Sequence, residues 1–386
     1  MLIFVLEFFL ALSVLILVHE LGHFLVARKA GIWVEEFGFG LPPRIVAKKI
    51  GETVYSLNLL PFGGFVKLHG EADDESLSKP KQAFLNKSLK ARFAVIVAGV
   101  IMNFLLAGLI FAGINTISGI PTYHEVGQVT VLNVEKDSPA EKSDLKPGDN
   151  IKSINKVQVK TTEEFIKIVE EKRGESVEIE LLRNGESYSV FVTPRQKEAI
   201  EGDFFNKISA TLKNFANDEG SIGVAITSKE AEIVYPPLWK RPLVGISYGF
   251  SEAVSWGKSI VVGIAKTFVG LAFGIAPKLV GPVGLLFLGT EVAKQGIIDL
   301  LNFFAVISVN LAIINILPLP ALDGGRLLFL VIEGVIGKKV VPRVEAGIHT
   351  VGMAILLLLI FVITFNEVRI LISAGSISGF LESVLR

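Results

Sequence analysis

The sequence His19-Glu20-Leu21-Gly22-His23 lies inside an apolar segment that runs from the N-terminus to Val26. About 20 consecutive apolar residues are enough for a helix to cross the hydrocarbon core of a bilayer. Ionisable side chains are costly in such a helix, because they lose their hydration. Two histidines and a glutamate at this place therefore predict a functional site within a membrane-spanning helix.

The spacing of the motif predicts a metal site. On a helix His19 and His23 lie one turn apart on the same face, so both imidazoles can bind one ion. Glu20, beside the first histidine, can act as general base on an attacking water molecule. The motif thus favours a zinc-dependent hydrolase. The alternative is a helix whose polar residues face a bundle, and burial of three such groups without use is expensive.

A catalytic zinc ion usually takes three protein ligands and keeps one position open. The chain has five histidines and no cysteine, which leaves few candidates for the third ligand. Those outside the motif are His69, His124 and His349. An acidic residue in or near a span is the other source of a ligand.

Asp323 is the strongest acidic candidate. It ends a charge-free run from Leu300 to Leu322, in which Pro318 and Pro320 interrupt the helix. We expect the two glycines that follow it to allow a tight turn after the carboxylate. Asp323 is predicted to complete a site for one Zn²⁺ per chain, and the alternative is a carboxylate that only ends a helix in a turn.

Composition supports a membrane protein. Hydrophobic residues make up 51% of the 386 residues, 20% are charged and the net charge is zero, so nothing indicates nucleic-acid binding. The first span is expected to be retained, because it lacks the pattern of a secretory signal. Further spans are predicted at Val95 to Ile117, Leu300 to Leu322 and Ala346 to Phe365. The segment Ser259 to Pro277 is ambiguous.

Basic residues orient the spans. Arg28 and Lys29 end the first span, and others precede the second and the last, which places the loop from about 30 to 90 in the cytoplasm. Residues 118 to about 240 then lie outside. For His19 and Asp323 to share a metal, an odd number of crossings must separate their helices. The segment 259–277 is therefore predicted to be interfacial, which gives four spans.

The outer segment reads as a soluble domain, with short alternating runs broken by turn signals and one amphipathic helix from Thr162 to Lys172. It resembles a PDZ domain in the permuted arrangement of bacterial proteases. Two segments carry that resemblance, Ser138 to Ala140 and Leu145 to Asp149. A polar stretch from Gln196 to Gly220 is expected to be an insertion, to which we assign no role.

The predicted cytoplasmic loop contains the sequence from Thr53 to Leu68, which reads as two strands around Pro61-Phe62-Gly63-Gly64. A glycine-rich hairpin close to the membrane could offer its edge to an extended peptide. A plain connecting loop is the alternative.

Taken together, HELGH in the first span, PFGGFVKL at 61–68, GPVG at 281–284 and NILPLPALDGG at 315–325 resemble bacterial site-2 proteases of the M50 type, in particular RseP-type intramembrane zinc proteases. The resemblance covers nearly the whole chain. It implies zinc ligands His19, His23 and Asp323 and the general base Glu20. It further implies that Asn310 and Asn315 hold the substrate backbone. The hairpin, with Phe62, Gly63 and Gly64, would clamp an unwound substrate.

The same resemblance implies cleavage of single-span membrane proteins within or near their transmembrane segments. Substrates in that family include anti-sigma factors already trimmed by another protease and remnant signal peptides. The implied location is the bacterial inner membrane, with the active site toward the cytoplasm and the PDZ domain outside, where it would meet a substrate ectodomain or C-terminus. Many RseP-type members carry two PDZ domains, whereas this chain has room for one.

The predicted fold is a polytopic α-helical membrane protein with four transmembrane helices, a membrane-associated β-hairpin and an inserted α+β PDZ domain. The two halves of the protease core are predicted at 1–120, which includes the hairpin loop at 37–70, and at 298–386. The PDZ domain is predicted at 121–195 and the insertion and linker strand at 196–240. Residues 241–297 are predicted to form amphipathic or interfacial helices with the GPVG segment. Two competing functions are a catalytically silent PDZ scaffold, which would need neither motif, and a metal transporter, which would call for more ligands in the membrane.

Overall fold

The computed structural model describes residues 2–71, 78–196, 212, 220–275, 277, 279–338 and 341–385, without the side chains of 2–4, 61, 62 and 385. It forms two compact units. The first comprises Met1–Ser118, Pro236–Val262 and Lys278–Arg386, and the second comprises Gly119–Tyr235 and Gly263–Pro277. Most of the predicted insertion at 196–220 lies outside the described residues.

The first unit is built mainly from long helices. They are α1 (Leu2–Lys29), α2 (Leu89–Ser118), most of α5 (Arg241–Ala272), α6 (Pro282–Gln295), α7 (Ile297–Ile316), α8 (Asp323–Ile336), α9 (Pro342–Ala374) and α10 (Ile377–Leu385). Among the described residues, five helices are long and apolar enough to cross a membrane: α1, α2, α5, α7 and α9. The three spans expected after the first are thus confirmed as long apolar helices.

The fifth apolar helix, α5, differs from the expected 259–277 segment. It begins at Arg241 and ends at Ala272. The first half of α5 was not predicted from the sequence, because Glu252 and Lys258 interrupt the apolar pattern there. Asn115 of α2 donates a hydrogen bond to Glu252 at 3.0 Å, and Ala253 joins a buried apolar cluster with Phe111 of α2. This half of α5 therefore packs on α2 through both polar and apolar groups. The interfacial position of 259–277, and with it the four-span count, stays a prediction.

The cytoplasmic loop of the prediction forms a hairpin, so the plain-loop alternative is wrong. Strands β1 (Val34–Ile50) and β2 (Thr53–Leu68) pair antiparallel. The turn lies at 51–52, so the expected two strands around 61–64 are one strand. Gly63 tolerates a left-handed φ of 74°, which lets β2 bend there instead of reversing.

Both strands of the hairpin bend, and this exposes one edge. Phe37 of β1 pairs with both Val66 and Tyr55 of β2. Residues 34–39 therefore lie between the two halves of β2. Among the described strands, the segment of β2 at 64–68 pairs with residues 34–39 along one side only. Its other side is an open edge.

The second unit is a sheet with the order β7-β6-β4-β3-β8, to which β5 adds at β4. Its strands are β3 (Ile120–Val134), β4 (Asn150–Ile154), β5 (Val157–Gln158), β6 (Val177–Arg183), β7 (Glu186–Val192) and β8 (Val224–Val234), with helices α3 (Pro139–Lys142) and α4 (Thr162–Glu171). The expected amphipathic helix at 162–172 is thus confirmed to within one residue. The sheet continues past 195, because β8 pairs with β3.

The two segments that suggested a PDZ domain both stabilise local structure in this unit. The Ser138 side chain accepts a hydrogen bond from the Glu141 N–H and so caps α3. Asp149 is 1% exposed and pairs with Arg183 at 2.7 Å. Its other oxygen accepts from the Lys146 N–H at 2.8 Å, which holds the turn between α3 and β4.

Candidate metal centre

The two motif histidines and the distant aspartate meet in the first unit. Nε2 of His19 lies 2.8 Å from Oδ2 of Asp323, although 304 residues separate them in sequence. Nε2 of His23 lies 3.2 Å from the same oxygen and 3.1 Å from Nε2 of His19. The three candidate ligand atoms lie within 4.8 Å of one another.

Helix α2 forms the wall behind the two imidazoles. Val95, Gly99 and Asn103 follow each other at intervals of one turn, so they form a stripe on one face of α2. Nδ1 of His23 donates to the Val95 carbonyl oxygen at 2.7 Å. A Cβ on Gly99 would lie 2.5 Å from Nε2 of His23. The absence of a side chain at Gly99 therefore creates the space between the rings and α2.

Asp323 is placed by a broken helix, in a different way from that expected. α7 ends at Ile316, and Asp323 is the first residue of α8, where a carboxylate is favoured by the helix dipole. The prediction of a tight turn at Gly324 and Gly325 is wrong, because both residues lie within α8. A Cβ on Gly324 would lie 2.0 Å from the Leu317 carbonyl oxygen, so the glycines allow α8 to pass close to the preceding segment.

The segment before Asp323 is strained and anchored. Ala321 has a φ of 78°, in the left-handed region that costs a residue with a Cβ roughly 1–2 kcal/mol. Its N–H donates to Nδ1 of His349 at 3.0 Å. This hydrogen bond to α9 helps to hold a backbone conformation that directs Asp323 toward the histidines.

Glu20 faces the open edge of the hairpin. Its Oε2 accepts a hydrogen bond from the Val66 N–H at 3.1 Å. The Leu68 N–H, two residues along the same edge, reaches Oε2 of Glu71 at 3.4 Å. The Val66 and Leu68 amides therefore donate to carboxylates on the side of the molecule that carries the metal-binding group.

A cavity of about 670 Å³ opens at this place. Glu20, His23 and Asp323 line it together with Val66 of the hairpin edge and Met353 and Leu357 of α9. Polar groups that can carry out hydrolysis thus share one space with an unpaired strand edge and apolar side chains. Apolar walls beside an open strand edge are features that extended peptides use for binding in other proteins.

Of the predicted substrate-binding residues in the described part of the chain, Asn315 lies beside the metal-binding group, and none of Asn310, Asn315, Gly63 and Gly64 lines the cavity. Nδ2 of Asn315 lies 3.5 Å from Nε2 of His19. Asn310 is five residues earlier on α7, which turns its side chain by about 140° relative to Asn315. Gly63 donates its N–H to Oγ of Ser13 at 3.2 Å, and Gly64 passes Leu17, so both pack on α1. Phe62 lies in β2, but its side chain is outside the described part.

The three other histidines have different partners. His124 is exposed and lies 3.5 Å from Glu232, and His349 holds Ala321. Nδ1 of His69 donates to Glu35 at 2.7 Å. Burial raises the pKa of the Glu35 carboxyl, but hydrogen bonds from Lys67 and His69 lower it more, so the pKa lies below its usual 4.5. None of the three belongs to the metal-binding group formed by the described residues.

The group fits zinc on the chemistry of its donors. Two imidazole nitrogens and one carboxylate oxygen are a donor set used by catalytic zinc, and it leaves a fourth position open. The hydrogen bond from Nδ1 of His23 to a backbone carbonyl leaves Nε2 free to bind an ion, as ligand histidines usually require.

Comparison with known proteins agrees with this geometry. The model of peptidase family M50 matches residues 7–359. The chain belongs to peptidase family M50. As an M50 member it resembles the regulator of sigma-W protease RasP of Bacillus subtilis, with 30% identity over 444 residues, 95% of this chain and 98% of that protein. A protein of Clostridium acetobutylicum provisionally named a zinc metalloprotease is 34% identical over 361 residues, 93% and 95% of the two chains.

The M50 chain is therefore a zinc metalloprotease of the site-2 protease family and a bacterial membrane protein, and its substrates are expected to be proteins of the bilayer. The zinc metalloprotease RasP of Geobacillus kaustophilus is 30% identical over 441 residues, 95% of this chain and 97% of that one. Among solved structures, this chain is similar to the PDZ domain of an SdrC-like protein of Listeria monocytogenes, with 22% identity and a TM-score of 0.19. The match covers 26% of this chain and 87% of the Listeria domain.

The sequence patterns indicated the residues that carry ionisable groups and missed those that do not. Gly99 and the carbonyl of Val95 carry no signal of their own in an apolar helix. Their one-turn spacing with Asn103, a polar residue in the second span, is the only signal that could have marked this face of α2.

Proposed function

We propose that this M50 protease hydrolyses peptide bonds within or near the transmembrane segments of single-span membrane proteins. The observation that carries the proposal is the position of the metal-binding group. His19, His23 and Asp323 lie within 4.8 Å of one another, the two histidines are on an apolar helix, and an open strand edge lies beside them. A protease for soluble substrates would not need its ligands on a helix that can cross a membrane.

In this proposal His19, His23 and Asp323 hold one zinc ion, and Glu20 is the general base. A bound zinc ion would polarise the scissile carbonyl and acidify water at the open position. Glu20 accepts a proton from the attacking water, whose oxygen bonds to the carbonyl carbon. The proton passes to the leaving nitrogen as the C–N bond breaks, so that one water molecule is consumed for each peptide bond.

The hairpin edge is proposed to present the substrate. A helical peptide bond is shielded by its neighbours, so the substrate must unwind before it can be cut. An unwound strand can pair with residues 64–68, whose Val66 and Leu68 amides are not used within the hairpin sheet. Phe62, Gly63 and Gly64 shape the start of this edge. Asn315 is proposed to donate from its amide to a substrate carbonyl, which its position 3.5 Å from Nε2 of His19 supports. Asn310 is proposed to bind substrate backbone farther along.

Two substrate classes are proposed: anti-sigma factors, including ones already trimmed by another protease, and remnant signal peptides. The name of one relative, regulator of sigma-W protease, supports a substrate in sigma-factor regulation. In the proposed topology four helices cross the membrane, the cavity opens toward the cytoplasm and the PDZ domain lies outside, where it contacts the substrate ectodomain or C-terminus. The domain limits given above are part of this proposal.

The test is cleavage of a single-span substrate by the purified protein in lipid vesicles, compared with the Glu20→Gln variant. We expect the wild-type protein to cut inside the apolar segment, as located by mass spectrometry of the fragments. The Glu20→Gln variant should retain zinc and lose cleavage, because the amide cannot accept the proton. Cleavage by the Glu20→Gln variant, or cuts confined to soluble tails, would contradict the proposal.

The silent PDZ scaffold is the other candidate. The assembled His-His-Asp group argues against it, since a scaffold needs no such group. Capture of the same substrates by wild-type and Glu20→Gln proteins without any cleavage by either would favour the scaffold.

A further inference from the structure

Asn103 lies in the part of α2 that faces His19, and neither the motifs nor the proposed chemistry gives it a role. It is 1% exposed. Its Nδ2 lies 3.5 Å from Nδ1 of His19. Its Oδ1 is buried without a hydrogen-bond partner among the described residues. A buried amide oxygen without a donor is costly, roughly 1–3 kcal/mol, and such an atom calls for an explanation.

Each of the two motif histidines needs a hydrogen-bond acceptor for the ring nitrogen that does not bind the metal. A histidine that binds a metal through Nε2 carries its proton on Nδ1 and donates that proton to an oxygen. His23 has such an acceptor, the Val95 carbonyl at 2.7 Å. The polar group of α2 beside Nδ1 of His19 is the Asn103 amide. A half-turn of this amide exchanges its oxygen and nitrogen. His19 then has an acceptor and the Asn103 oxygen has a donor, while Nδ2 takes the position that has no partner among the described residues.

We propose that Asn103 is a positioning residue for the metal site, whose side-chain oxygen accepts the Nδ1–H of His19 and so presents Nε2 to the ion. This inference rests on the proposed assignment of His19 as a ligand. This proposal also assigns a role to α2 in the metal site. Val95 and Asn103, two turns apart, orient one imidazole each, and Gly99 between them leaves room for both rings.

The fixed backbone around Asn103 supports this role. Its carbonyl oxygen accepts a hydrogen bond from Oγ of Ser308 at 2.8 Å, which ties this turn of α2 to α7. Ser308 is 0% exposed. An amide that must orient a ligand needs such a rigid support, because loose outer groups do not hold a ring in place.

The test uses zinc affinity of the full-length protein in detergent, measured by competition with a chromophoric chelator. Asn103→Leu keeps the branching at Cγ and removes the acceptor, and we expect about a 10- to 100-fold loss of affinity. Asn103→Asp keeps the acceptor, and we expect affinity at or above that of the wild-type protein. Asn115→Leu is the matched control: Asn115 is a buried amide on the same helix that bonds Glu252 instead, so zinc affinity should not change.

Thermal unfolding of the metal-free proteins separates a structural role from a positioning role. Asn103→Leu and Asn115→Leu should lose stability to a similar degree, while only the first loses zinc. Wild-type zinc affinity in Asn103→Leu, or an equal loss in Asn103→Asp, would overturn the inference. If the leucine variant does not fold, the aspartate variant decides alone, and a tenfold loss would refute the role. Retention of zinc by His19→Ala would instead refute the ligand assignment.

Discussion

At the scale of the residue, the positions that shape the metal site include some with no functional group. Gly99 shows this, because its missing side chain is what lets α2 pass the imidazoles. The need for this space can be tested by adding a single methyl group.

We expect Gly99→Ala to weaken zinc binding about 10- to 100-fold, because the new Cβ would lie 2.5 Å from Nε2 of His23 and overpacking costs about 1–3 kcal/mol. Gly113→Ala is the control, since nothing lies within 4 Å of a Cβ at this glycine of the same helix. Its zinc affinity should stay unchanged. Equal zinc affinity in the two variants would show that the space at Gly99 is not needed.

The two asparagines of α7 are expected to differ in their effect on rate. Asn315→Ala should lower kcat about 100-fold, the usual result of removing a donor to a developing negative charge. Asn310→Ala should lower it much less, because its side chain points about 140° away. The measurement is cleavage of one substrate at saturating concentration. A larger loss in Asn310→Ala would reverse the assignment.

At the scale of the element, helix α9 contacts the start of α6 through a buried carboxylate. Glu367 is the only buried residue among the described residues of α9. It accepts hydrogen bonds from the N–H groups of Gly281 at 2.7 Å, Val283 at 3.1 Å and Gly284 at 3.1 Å. The GPVG segment at the start of α6 is therefore held by a side chain of α9.

We expect Glu367→Ala to lower the free energy of unfolding by about 1–3 kcal/mol, because buried backbone donors lose their partner. Glu291→Ala removes an exposed glutamate of α6 that pairs with Lys294, and it should cost less than about 1 kcal/mol. The measurement is urea or thermal unfolding in detergent. Equal losses in both variants would mean that the Glu367 contact does not stabilise α9.

Sequence patterns predicted some elements well and others poorly, for physical reasons. The HELGH helix and Asp323 were recognised because ionisable groups in apolar runs are costly and hence informative. The turn of the hairpin was misplaced, since Gly63 and Gly64 usually indicate a turn and here permit a bend and close packing on α1. Helix α5 was predicted too short because Glu252 and Lys258 interrupt the apolar pattern of its first half.

At the scale of the whole molecule, the number of crossings is the main open prediction. The absence of cysteine allows single cysteines to report which side of the membrane a residue faces. In the four-span topology Lys240→Cys and Lys266→Cys both react with an impermeant maleimide added outside the cell. Arg28→Cys should react only after permeabilisation. Labelling of Lys266→Cys only after permeabilisation would mean that α5 crosses and that the topology has to be redrawn.

The central claim for the molecule is that two distant segments, α1 and the start of α8, hold one metal ion together. The direct measurement is the zinc content of the purified protein and of its Asp323→Ala variant. The account predicts one zinc per wild-type chain and a loss of most of it in the variant, because two histidines alone bind zinc weakly. One zinc per chain in Asp323→Ala would contradict it.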